Sequence, residues 1–150
     1  MPEITIPSPI GLLAIEEQDG AIVALHWRRA RKEEPTPLLQ EAAEQLADYF
    51  AKSRRDFDLP MKPAGSPFER AVWDAMLRIP YGETRSYGEI AREIEGEARD
   101  VGAACGTNPL PILIPCHRIL AGGGRLGGYS GKGGGETKTL LLTLEGALLL

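Results

Sequence analysis

The sequence predicts an α+β chain of two units: a small α/β unit over residues 1–60 and a mainly helical unit over residues 61–150. Three observations carry this reading. Apolar residues alternate or form short runs up to Trp27, the pattern of strands. Two helix starts of one form, Ser66-Pro67-Phe68-Glu69 and Ser86-Tyr87-Gly88-Glu89, open the second half. Between the halves, Asp58 to Pro67 contains Pro60, Pro63, Gly65 and Pro67, the composition of a linker.

Ile4 and Ile6 alternate, and the runs Leu12-Leu13-Ala14-Ile15 and Ile22-Val23-Ala24-Leu25 flank the polar turn Gln18-Asp19-Gly20, which predicts a hairpin. The charged run Arg28 to Glu34 reads as a solvated loop. Leu38, Leu39, Ala42, Ala43, Leu46, Tyr49 and Phe50 recur at helical spacing, predicting an amphipathic helix over 37–51 against the hairpin.

Ser66 as cap, Pro67 in the first turn and Glu69 three residues after the serine start the next helix. Phe68, Ala71, Val72, Ala75, Met76 and Ile79 share its apolar face, and Pro80 stops it. Tyr87, Ile90, Ala91 and Ile94 form a second face, broken at Gly96 and resumed at Ala98 with Val101, Ala104 and Cys105, so two short helices make a helix-turn-helix. Asn108-Pro109-Leu110-Pro111 ends that unit, and Ile112-Leu113-Ile114 reads as a buried extended run. Ala121 to Gly135 holds nine of the chain's 18 glycines, a loop that lets backbone approach a ligand closely or simply connects two elements. Leu140, Leu141, Leu144 and Leu148 predict a closing helix with Glu145-Gly146 near its end.

Apolar residues make up 43% of the chain and charged residues 25%, an ordinary globular balance that excludes a disordered or membrane protein. Met1-Pro2-Glu3-Ile4-Thr5 lacks the pattern of a secretory signal, so a cytoplasmic location is expected. The two cysteines, Cys105 and Cys116, are expected as free thiols, and two cysteines and two histidines at scattered positions predict no metal site. A net charge of −4 argues against a nucleic-acid binder held by bulk charge. Locally the balance differs: from Ala98 to Lys132, Arg99, Arg118, Arg125 and Lys132 stand against Asp100 alone.

Cys116 beside His117 is the strongest chemical signal, because a thiol becomes a useful nucleophile when a base or cation favours the thiolate. Taken alone, the pair reads more simply as a buried thiol and a satisfied imidazole. The context shifts the balance: a proline-fixed entry, Arg118 alongside, the glycine-rich loop and the helix-turn-helix. Arg99 by itself reads as a surface residue paired with Asp100 or Glu97, and Tyr87 as a core aromatic.

Ile114-Pro115-Cys116-His117-Arg118, preceded by Asn108-Pro109-Leu110-Pro111 and followed by Gly128-Tyr129-Ser130-Gly131, resembles the active-site segment of the O6-alkylguanine-DNA alkyltransferases. The resemblance runs from about Ser66 to Gly146; the first sixty residues share only the coarse layout of a variable α/β, ribonuclease H-like domain. It implies a winged helix-turn-helix-like domain that binds double-stranded DNA carrying an alkylated guanine, and one irreversible alkyl transfer from O6-alkylguanine to Cys116, with O4-alkylthymine as a substrate left open.

The resemblance further implies that His117, oriented by Glu145, activates Cys116 through a water, and that Tyr87 protonates the leaving base. It implies that Arg99 fills the gap left by the extruded nucleotide, with Tyr87, Arg118 and Ser130 also on the DNA side. Asn108, Pro111, Tyr129 and Ser130 then belong to the substrate pocket, Asn108 bracing the turn before the nucleophile. Cys105 is read as packing. No cofactor, metal or membrane is implied, and the chain is expected as a monomer in solution, with cooperative loading along DNA left open. The loop after Ser130 is about two residues longer and richer in glycine than the family pattern. Three other classes compete. A lesion-binding protein without transfer is opposed by Cys116. A Cys-His hydrolase leaves the helix-turn-helix unexplained, and a plain regulator leaves Cys116, His117 and Glu145 without a purpose.

Overall fold

A computed structural model describes residues 1–129 and 131–148 and divides the chain into two compact units, Met1–Ala64 and Gly65–Leu150. The division falls four residues later than the expected 60/61. Ile22 is the reason: its N–H donates to the Pro60 carbonyl and its carbonyl accepts from the Lys62 N–H, so residues 60–62 dock onto a strand of the first unit.

In the first unit β1 (Glu3–Ser8), β2 (Gly11–Gln18) and β3 (Ala21–His26) form an antiparallel sheet in sequence order, the strand of Ile4 and Ile6 pairing with the first strand of the expected hairpin. The β2–β3 turn places Asp19 at φ 51° and Gly20 at φ 77°, the left-handed pair that matches strand twist. Helix α1 (Pro37–Phe50) is capped by Thr36, whose side chain accepts from Leu39 N, and packs Leu39, Ala42, Leu46 and Tyr49 against the sheet. Gln45, also buried, exchanges hydrogen bonds with the Asp58 backbone and ties the returning chain to α1. Arg28 departs from the solvated-loop reading: its guanidinium holds both oxygens of the buried Glu3 carboxylate, at 2.8 and 3.2 Å.

In the second unit α2 (Pro67–Leu77) begins with the expected capping box: Glu69 N donates to Ser66 Oγ, and Ser66 N donates to Glu69 Oε1. Val72, Ala75, Met76 and Ile79 are buried as expected, while Phe68 is 36% exposed, its ring lying over Gly96. Trp73, absent from the expected face, is buried and donates its indole N–H to the Ala104 carbonyl at 2.9 Å. Short β4 (Arg85–Ser86) leads into α3 (Tyr87–Glu93), which opens with a second capping box. α4 (Ala98–Gly106) follows after a turn in which Glu95 takes φ 58°. Ile112-Leu113-Ile114 is buried but not extended. Asn108 closes residues 108–114 into a loop by donating to the Ile114 carbonyl and accepting from Leu110 N, each at 2.9 Å, and Ile112 takes φ 77°. β5 (Ile119–Leu120) pairs parallel with β4, and α5 (Gly135–Leu144) closes the unit, with Glu145 as its C-cap. Among the described residues no helix is long and apolar enough to cross a membrane.

Ser66→Ala removes one bond of the α2 capping box and loosens the other. It is expected to lower stability by about 1 kcal/mol, read as a lower thermal midpoint with an unchanged far-ultraviolet spectrum at low temperature.

Candidate active site

The chain enters the site through Pro115, whose φ of −81° and ψ of 68° make an inverse γ-turn closed by Cys116 N donating to the Ile114 carbonyl at 2.8 Å. A single 3-10 turn, Cys116–Arg118, follows. Successive residues of such a turn point about a third of a circle apart, so Cys116, His117 and Arg118 face three directions.

Cys116 lines a cavity of about 190 Å³ with Tyr87, Gly102, Cys105, Gly106, Gly128 and Tyr129. Cys116 is 5% exposed. Burial pushes its pKa up, and a hydrogen bond from Asn108 and the positive charge of Lys138 act in the opposite direction. Asn108 therefore braces the loop before Cys116 and acts to lower the pKa of its thiol. Burial likewise raises the Tyr87 phenol, keeping it protonated at neutral pH.

His117 is fully buried. Its Nε2 lies 2.8 Å from Glu145 Oε2, and its Nδ1 has no hydrogen-bond partner among the described residues. The carboxylate fixes the tautomer with the proton on Nε2, leaving the Nδ1 lone pair available. Burial lowers the His117 pKa against the raising effect of Glu145, so the ring is neutral at neutral pH. Burial acts to raise Glu145, but the hydrogen bonds of His117 and Arg118 more than offset it and hold the carboxyl at about 2.

Arg118 is the clear departure from expectation. Its guanidinium is buried, with Nε 2.8 Å from Glu145 Oε1, Nη2 3.0 Å from Oε2 and Nη1 2.7 Å from the Ile79 carbonyl. A side chain spent in this way cannot reach DNA phosphates; its charge compensates a carboxylate that burial would otherwise make untenable. Arg99, Arg125 and Lys132, the other cations of that stretch, are exposed. Arg99 is the second residue of α4, whose Gly102, Cys105 and Gly106 form one wall of the cavity. Cys105 is thus half-buried at the cavity, and burial raises its thiol to about 12.

Tyr129 lines the cavity, whereas Pro111 is buried in the Asn108 loop and is not among the lining residues. Ser130 lies outside the described residues. Gly127, at φ 72°, packs so closely on the Ala121 backbone and the Tyr87 ring that a Cβ there would stand 3.3 Å from Ala121 N.

Lys138 is the residue that sequence reasoning missed. It is fully buried in α5, and its Nζ donates to the Gly128 carbonyl at 2.9 Å, pinning the cavity's loop wall to the closing helix. Burial lowers its pKa, and the proximity of Cys116 and Cys105 works to raise it. The signal was a lysine on the apolar side of a leucine-rich helix. Among the described residues no group of three or more His, Cys, Asp or Glu side chains gathers where a metal could be held.

A family model described as "6-O-methylguanine DNA methyltransferase, DNA binding domain" matches residues 67–147, and one described as the ribonuclease-like domain of the same proteins matches residues 1–63. The chain belongs to the 6-O-methylguanine DNA methyltransferase family. A methylated-DNA–protein-cysteine methyltransferase of Mycolicibacterium paratuberculosis is 44% identical, the match spanning 94% of this chain and 90% of that protein. The constitutive enzyme of Bacillus subtilis is 40% identical over 94% and 93% of the two chains. Among solved structures, Mycobacterium tuberculosis OGT in complex with DNA superposes with a TM-score of 0.87 at 41% identity, covering 98% of this chain and 94% of that one. The mixed α/β first unit and helical second unit are those of this methyltransferase family.

The site's charge state sets a pH dependence of stability. The folded-state pKa of Glu145 is held below its ordinary 4.5, at about 2, so its contribution is complete above 4.5 and is lost as pH falls toward 2. His117, lowered from 6.5, adds a loss that begins below that value, because the unfolded chain takes up a proton that the buried ring resists. Glu145→Gln should therefore be less stable than wild type at pH 7 and should lose less stability between pH 4.5 and 2. Urea midpoints measured across this range check it; parallel curves for the two proteins would contradict the assignment.

Proposed function

We propose that this methyltransferase repairs DNA directly, taking the alkyl group of O6-alkylguanine onto Cys116 in a single turnover. The observation that carries the reading is the position of Cys116: its thiol lines a cavity beside the Tyr87 phenol, next in sequence to a buried His117–Glu145 pair.

The target atom of an alkylated base lies inside the stack of a duplex, so the nucleotide must be extruded to reach this thiol. His117 Nδ1 takes the Cys116 proton through a water, the role for which its tautomer is set. The thiolate then attacks the alkyl carbon. A carbon–sulfur bond forms as the carbon–O6 bond breaks, the bonding pair passes into the guanine ring, and the Tyr87 hydroxyl donates a proton to a ring nitrogen. The proton held by His117 returns, by way of solvent, to the tyrosinate, so no net charge is left behind. The product thioether is not hydrolysed, and each chain acts once. Arg99, exposed at the start of α4, fills the space vacated in the stack, and Tyr129 covers the base. One chain supplies every residue in this scheme, so a monomer suffices. O4-alkylthymine presents the same alkyl–oxygen bond and is a second candidate substrate.

Mass spectrometry after mixing the protein with a duplex carrying one O6-methylguanine should show one methyl per chain, on the Cys116 peptide. Cys116→Ala should bind the duplex without gaining mass; a methyl found on that variant would move the acceptor elsewhere. Arg99→Ala should slow transfer from duplex DNA at least tenfold while leaving reaction with free O6-benzylguanine near the wild-type rate, since only the duplex requires extrusion. Equal losses on both substrates would remove Arg99 from that role.

A further inference from the structure

A groove of about 350 Å³, with no lining residue in common with the cavity of Cys116, is lined in part by residues of β4 and β5. Its lining includes Arg85, Ser86, Glu89, Arg92, Gly122 and Gly123. Two arginines and one glutamate belong to that lining, and the carboxylate is already engaged: Glu89 Oε1 accepts from Ser86 N at 2.9 Å. The Ser86 backbone bond, together with the charges of Arg85 and Arg92, keeps Glu89 ionised below the usual carboxylate range.

Both cations can be recruited. Arg85 contacts Glu83 at 3.2 Å, but the two side chains are 37% and 53% exposed, and an ion pair so open to water exchanges readily for another anion. Arg92 is exposed and has no carboxylate within salt-bridge distance among the described residues. In a chain of net charge −4, such a local positive excess is where a polyanion can be held.

The groove's position says which polyanion. Ser86 lines the groove and the next residue, Tyr87, lines the cavity; Leu120 lines the groove and Cys116, four residues earlier, lines the cavity. The two hollows share no lining residue but adjoin along the chain at Ser86 and Tyr87. A nucleotide with its base in the cavity remains joined to its neighbours, so its strand must leave across the cavity rim, beside which this groove presents Arg85 and Arg92. We propose that the groove binds the backbone phosphates of duplex DNA that flank the extruded nucleotide, with Arg85 and Arg92 as the contacting side chains. The proposal rests on the reading that an alkylated nucleotide enters the cavity. Phosphate contacts carry no sequence information, which suits a protein that must act wherever a lesion lies.

The test compares Arg85→Ala/Arg92→Ala, the double lysine variant and wild type for binding to unmodified duplex at several salt concentrations. Each phosphate contact contributes about 0.9 to the slope of log affinity against log salt, so the alanine pair should flatten that slope by about one to two and the lysine pair should restore it. Replacing the phosphates that flank the lesion with neutral methylphosphonates should weaken wild-type binding and leave the alanine pair unchanged. An unaltered slope, or equal methylphosphonate losses in both proteins, overturns the proposal. Reaction with free O6-benzylguanine, which has no phosphate, should be equal in all three and shows that the variants are folded. If wild type fails to react with that base while the slope difference persists, the repair reading falls and the phosphate groove stands.

Discussion

The Glu145 carboxylate, fully enclosed and held on both oxygens, is the constraint on which the second unit depends. A charge taken out of water is tolerated only with matched partners, and here these come from His117 and from Arg118, which also bonds to the Ile79 carbonyl just beyond α2. The end of α5, the turn that carries Cys116 and the end of α2 are therefore locked together at a single carboxylate. The same contact sets the imidazole tautomer. Structure and chemistry share one interaction, so the part of the molecule that must be most exact in geometry is also the part that is hardest to deform.

Around this anchor the cavity is built from elements that could not hold their shape alone. The Asn108 side chain closes the loop that delivers Cys116. Lys138 fastens the glycine-rich wall through the Gly128 carbonyl. Without that bond, a segment so rich in glycine would retain the backbone freedom that its composition gives it. The glycines let the chain approach the Tyr87 ring and Ala121, and the buried lysine fixes where it stops. Burial, meanwhile, disfavours the thiolate of Cys116, and the positive charge of Lys138 acts in the opposite direction.

Much of this was legible in the residues. Both capping boxes, the amphipathic helix over 37–51, the strand runs and the two short helices follow from local rules, because capping and periodicity act within a few residues. The motif around Cys116 singled out Cys116, His117 and Glu145 through resemblance, and the fold brings the last two into contact. Arg118 and Lys138 escaped for one reason: a charged side chain reads as exposed until the fold supplies partners for it. Ile112 to Ile114 were misread as extended because the bond that bends them comes from a side chain four residues earlier. The pairing of β1 with β2 and the docking of residues 60–62 depend on backbone hydrogen bonds between distant residues, which leave no mark in composition.

The sequence by itself therefore determined where helices start, most of their apolar faces, which cysteine carries the family motif and to which family the chain belongs. These are properties of short windows or of a continuous motif. Only the tertiary structure decided that Arg118 turns inward to Glu145, that Lys138 is buried against the glycine-rich loop, and that Arg85 and Arg92 meet in one groove. Each of those outcomes joins residues far apart in the chain or on different elements, and the energy of a charge depends on what surrounds it in space rather than on its neighbours in sequence.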